Sequence, residues 1–242
     1  MKVNRIVLCG IVLCALASSR STVFAQPEPS PVRVSWELSF KPTPPMRIQV
    51  KTQTYWYMLY TVTNNTGEDV NFHPEIVRVN EIESELPAGK VEAQPQKAAR
   101  ITLDPAIVGP HSKVFQTIQQ RHAKTHPFLV PPVDAIGKLL QGDDNARTSV
   151  AVFHDLDPRV SKFTIYVSGL SGERITKPNP AYDPQRAGNK TDKTPGMTSD
   201  NGDNPKFFVL RKTLALPYIL PGDVKTRKSA KPKLGRMTWV MR

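Results

Sequence analysis

Apolar and polar side chains alternate at period two over several stretches of this chain. Val32, Val34, Trp36, Leu38 and Phe40 alternate with Arg33, Ser35, Glu37 and Ser39. That spacing predicts a strand with one apolar face and places Trp36 and Phe40 in the core. Lys41–Pro45 ends it, and Met46–Val50 is a candidate for a short second strand. From Tyr55 to Thr63 nearly every residue is aromatic, β-branched or a large aliphatic, and Val70–Val79 resumes the pattern after Asn64-Asn65-Thr66-Gly67. Residues tolerant of positive φ between two apolar runs predict a β-hairpin at the centre of a sheet. Proline cannot donate to a ladder, so His73-Pro74 predicts a bulge or an edge.

Further along, Ile101–Val108 and Lys113–Gln119 are strand candidates around Pro105 and Gly109-Pro110. Pro127, Pro131 and Pro132 interrupt regular structure. Val133–Leu140 has Ile136, Leu139 and Leu140 at helical spacing and predicts a short helix or turn. Ser149–His154 and Lys162–Gly169 alternate again. The Asp155-Leu156-Asp157-Pro158 turn between them predicts a second hairpin, or two strands that change sheets. Phe207–Leu216 is strand-like, with an even-numbered face that is apolar apart from Lys212, and Met237–Arg242 predicts a terminal strand. Pro87–Arg100 and Glu173–Pro205 are poor in apolar residues and predict a solvated loop and a long mobile insertion.

Eight or so short strands with turns about every ten residues predict an all-β β-sandwich. The run TVTNNTGEDVNF resembles the central hairpin of exported bacterial immunoglobulin-like domains. SVAVFHDLDP and KFTIYVSGL resemble later strands of such domains, and LRKTLALPYILPGD is similar to segments of secreted planctomycete-type proteins. The resemblance implies an immunoglobulin-like β-sandwich with long irregular loops, exported from a bacterial cell. It implies no activity, because many functions share this scaffold.

The N-terminus has the order of a secretory signal. Lys2 and Arg5 precede the apolar run Ile6–Ala17, and Val23-Phe24-Ala25 supplies small residues before Gln26. This predicts a signal peptide over residues 1–25, cleaved between Ala25 and Gln26, and a secreted or periplasmic mature chain. A run of about a dozen apolar residues is short of the ~20 that a membrane span needs. Residues 26–31 then form a Pro-rich leader, and 32–242 a single β-sandwich domain with its mobile insertion near 171–205. Cys9 and Cys14 both lie in the signal, so the mature chain has no disulfide and depends on its apolar core.

The formal charge of +12 is uneven. Removing the signal leaves +9, and the residues from Lys206 onward account for all of it. Lys225, Arg227, Lys228, Lys231, Lys233 and Arg236 are the densest cluster and a candidate anion-binding site. A solvated charged turn accounts for the same residues. Nucleic acid is disfavoured as partner, because no aromatic is interleaved with these cations before Trp239.

Candidate chemistry is sparse. His122 and His126 are four residues apart, with His111 upstream and His154 further on. Histidines at that spacing could hold a metal or serve a hydrolase, but RHAKTH contains no acidic partner and Pro127 ends any helix. Solvent-facing loop histidines are the alternative. His154, Asp155 and Asp157 could form an acid–base pair or a calcium loop, but the further oxygen ligands and glycine of a calcium loop are missing and an Asp-rich turn accounts for the same residues without a ligand. Ser168–Gly172 lacks the Gly-x-Ser-x-Gly spacing, and phosphate-binding and dinucleotide fingerprints are missing. The sequence therefore assigns no catalytic residue, no metal site, no cofactor and no small-molecule substrate. It points to a non-enzymatic exported domain that binds or scaffolds envelope components. The alternatives are a metal-binding protein or hydrolase built from His111, His122, His126 and His154, and attachment to an acidic polymer through residues 225–236.

Overall fold

The structure, a computed structural model, describes residues 27–82, 100–107, 109, 112–183 and 205–242. The expected signal segment 1–25, most of the expected loop at Pro87–Arg100, His111 and residues 184–204 of the expected insertion lie outside them. Among the described residues the architecture is all-β, apart from one α-helix and short 3-10 turns.

Strand β3 (Gln53–Thr63) is the centre of a four-stranded sheet. Strands β1 (Ser39–Pro42) and β2 (Met46–Val50) pair with successive parts of one edge, and β8 (Arg147–His154) pairs along the other. Tyr55 to Tyr60 are all buried because both faces of β3 are covered. Trp56, Met58, Tyr60 and Val62 enter a core shared with the second sheet, whereas Tyr55, Tyr57 and Leu59 lie beneath helix α1 (Ser112–His122). A strand covered on both sides needs no polar face, hence its unbroken apolar run.

The second sheet has seven strands. Strand β11 (Phe207–Ile219) pairs on one edge with β10 (Arg174–Pro178) and then β9 (Val160–Ser168). On the other edge it pairs with β13 (Thr238–Met241) and β12 (Lys233–Leu234). Beyond β9 come β5 (Glu75–Ile82) and the edge strand β6 (Arg100–Pro105). A separate two-stranded pair joins β4 (Val70–Phe72) to β7 (Gly137–Leu139). The two large sheets meet through aromatic packing. The Phe163 ring of β9 stacks on Tyr218 of β11 at 5.2 Å and meets Trp56 of β3 edge-on at 6.3 Å.

Several expectations are corrected. Asn64–Gly67 does not close a hairpin, because β3 and β5 belong to different sheets. The buried Asn64 amide donates to the carbonyl oxygens of Leu139 and Glu68, both at 2.8 Å, so the turn is fastened to β7 instead. His73-Pro74 separates β4 from β5, as proline at that point requires. The same corner fixes Gly169, whose φ is +82° and whose added Cβ would stand 2.3 Å from the His73 carbonyl oxygen. Of the two readings for Ser149–Gly169, the change of sheet holds: β8 lies in one sheet and β9 in the other.

Lys113–Gln119 is helical, not a strand, because Val114 and Ile118 fall one turn apart and are buried together against the four-stranded sheet. Of the two readings for Val133–Leu140, the turn holds, and it runs into β7. In the Val32–Phe40 run only Ser39 onward is strand, with one further bridge from Glu37 to Ser171. Val32 and Val34 are 67% and 61% exposed, because no strand edge extends to meet them. Trp36 and Phe40 do pack, half-buried, on the core. Finally, Arg174–Pro178 within the expected insertion is strand β10.

Candidate functional site

Of the candidate histidines, His111 lies outside the described residues, and His122, His126 and His154 fall in two places on the α1 side of the four-stranded sheet. His122 ends α1 and His126 follows in the turn before Pro127, and their rings lie 5.7 Å apart. Tyr57 Oη is 2.9 Å from His122 Nε2, and Thr125 Oγ1 is 3.0 Å from His126 Nδ1. The expected proximity of the pair is therefore present. Among the described residues, however, no three His, Cys, Asp or Glu side chains converge on a point suited to a metal ion.

Burial lowers the His122 pKa from its ordinary value, and nearby His126 and Arg121 lower it further. Burial raises that of Tyr57, with Arg121 partly opposing. A group whose base form is favoured by folding takes up its proton in the unfolded chain first. Stability should therefore fall as pH drops through the ordinary imidazole range and level off below the folded-state value of His122. Thermal melts of the chain and of His122→Gln across that range check this, and the variant should lose that part of the pH dependence.

His154 stands apart, opposite Tyr55 in the β3–β8 ladder. It lines a cavity of about 400 Å³ with Gln53, Tyr55, Ile107 and Val114. Its Nδ1 is 3.2 Å from Asp104 Oδ1, and the other oxygen of Asp104 accepts from Arg78. Arg78 is 1% exposed; it also donates to the His154 carbonyl oxygen and lies over the Phe153 ring at 5.1 Å. Burial lowers its pKa to about 10, with the Asp104 carboxylate opposing. Sequence reading overlooked this network. The available signal was an arginine on the inward register of β5, between Ile76 and Ile82.

A second buried charge was visible as Lys212 on an apolar face. Its ammonium lies 2.5 Å from Glu37 and 3.0 Å from Glu173, and 5.3 Å from the Trp239 ring centre. The Ser30 amide donates to Glu173 at 2.7 Å and, with Lys212, lowers the pKa of that carboxyl. This network fastens residues 30–37 to β11.

The remaining candidates have local partners. Asp155 accepts from the Trp56 indole at 3.0 Å, from the Leu156 amide and from Arg47, while Asp157 accepts from the backbone and guanidinium of Arg159. Ser168 Oγ donates to the Glu75 carbonyl oxygen. In the basic segment Lys225, Lys231, Lys233 and Arg236 are exposed. Arg227 is half-buried and donates to the carbonyl oxygens of Gly222 and Arg159, so it closes the turn it belongs to. Lys228 lies in the 3-10 turn Arg227–Ser229.

No helix among the described residues is long and apolar enough to cross a membrane. Comparison of the chain with protein-family models, with curated proteins and with solved structures gives no match.

Proposed function

We propose that this chain is an exported bacterial binding domain, a non-catalytic immunoglobulin-like sandwich that attaches to a component of the cell envelope. The observation that supports this most is the two-stranded arm formed by β10 and residues 207–211 of β11. Phe207, Phe208 and Val209 are 42%, 44% and 55% exposed, and none of them packs on the core. Phe207 and Val209 leave one face of this arm and Phe208 the other, so both faces of a paired strand hold large apolar side chains in solvent, which marks the arm as a contact element. The signal-like N-terminus supplies the address, and the shared core supplies a rigid base for the arm.

Cell fractionation with N-terminal sequencing tests this reading. The chain is expected to begin at Gln26 and to sediment with envelopes, and Phe207→Ser/Phe208→Ser should release it. An unprocessed chain confined to the cytoplasm would refute the reading.

A further inference from the structure

At the base of the arm, the strand register brings three arginines into one row. Arg174 of β10 is directly opposite Arg211 of β11. On the other edge Arg211 exchanges both backbone hydrogen bonds with Arg242, at 2.7 and 3.1 Å, one position beyond the paired residues Lys212 and Met241. Directly opposed residues share a face, so all three side chains leave the same side of the sheet, and all three are exposed. Adjacent strands are about 4.8 Å apart, so the row spans roughly 10 Å across three strands.

Like charges placed directly opposite one another repel. Among the described residues none of the three guanidinium groups forms an ion pair. Of the acidic neighbours, Glu173 faces Lys212 on the opposite side, whereas Glu75, opposite Ser168, shares the face of the row two strands away from β11 and forms no ion pair with it. Were the chain to end at Arg242, its single α-carboxylate would still leave the row at a net positive charge. The same face continues through Val209 and Thr213 of β11, which add no charge.

We infer that the Arg174–Arg211–Arg242 row is a binding site for an acidic polysaccharide, which lies across the three strands and presents successive carboxylate or sulfate groups to the guanidinium forks. Planar guanidinium groups match such oxyanions two bonds at a time, and a row of them suits a linear polyanion better than a single ion. The neighbouring aromatics argue against nucleic acid, which needs open rings for base stacking. Arg242 already covers Tyr166 at 4.3 Å, and the Lys206 ammonium lies over Phe207 at 5.5 Å. The inference deepens the proposed envelope attachment and rests on it for the class of polymer met outside the cell. The site differs from the cluster at 225–236, which belongs to the other end of β11, near Ile219.

The test uses the processed chain with immobilised polygalacturonate as the carboxylate probe and heparin as the sulfate probe, with neutral dextran and single-stranded DNA as comparators. Arg174→Gln/Arg211→Gln/Arg242→Gln should weaken binding to at least one acidic polysaccharide by about tenfold or more, since each guanidinium contact is charge-assisted. Lys225→Gln/Lys231→Gln/Lys233→Gln, with the same charge change, should weaken it by less than about twofold. Arg211→Gln alone provides a milder form, and thermal melts establish that each variant is folded. Equal weakening by both triple variants, or no weakening by the arginine variant, overturns the inference. So does tighter binding of DNA that is lost in the arginine variant. Wild-type chain that sediments with envelopes yet ignores both polysaccharides leaves the attachment standing and removes this inference. Chain that binds them through the row but never reaches the envelope does the reverse.

Discussion

Phe163→Ala is expected to destabilise the fold by about 3–5 kcal/mol, the range for removing a buried aromatic ring. The side chain is 1% exposed and touches aromatic partners in both sheets, Tyr218 within its own and Trp56 across the interface. Its loss opens a cavity where the sheets meet, and the rigid strands on either side cannot collapse to fill it. Urea unfolding should show a lower midpoint with a single transition retained. A midpoint within ~0.5 kcal/mol of the parent chain, the range of ordinary surface substitutions, would mean that the two sheets do not share this contact.

Asp104→Ala is expected to cost a similar amount, about 3–5 kcal/mol, for a different reason: it strands the Arg78 guanidinium in the interior without its carboxylate. Two nitrogens of Arg78, Nε and Nη1, are already buried without hydrogen-bond partners, so the pair has little to fall back on. Arg78→Met should be milder, because it removes the charge and keeps most of the volume. Adding Arg78→Met to Asp104→Ala should recover much of the loss, which separates an unpaired charge from a packing defect. If the double variant is as unstable as Asp104→Ala alone, the ion pair is not the cause. Chemical denaturation of the three variants decides it.

Most strands were legible and most of their partners were not. Strands β2, β8, β9, β11 and β13 follow from period-two alternation or apolar runs, which depend only on local sequence. Pairing depends on distant residues. Asn64–Gly67 has hairpin chemistry, yet the Asn64 side chain is satisfied by Leu139, and the chain leaves for the other sheet. Helix α1 was missed because its buried stripe is only Val114 and Ile118, with β-branched and aromatic residues that also suit strands. The exposed lysines of the basic segment were legible as charge, but Arg227 proves to be spent on neighbouring carbonyl oxygens. The row of three arginines was invisible, since Arg174, Arg211 and Arg242 become neighbours only through register.

The changes of sheet after β3 and after β8 also set the order of assembly. Neither β3 nor β5 pairs with the other; β3 has β1 and β2 along one edge while its other edge waits for β8, and β5 has β6 along one edge while its other waits for β9. Both contacts enclose long loops, whose closure entropy is lost before any pairing compensates, so the chain should fold slowly for its size. Throughout that delay the segment Tyr55–Tyr60 has both of its oily sides uncovered, and a newly made chain is most prone to aggregate there until residues 147–154 arrive.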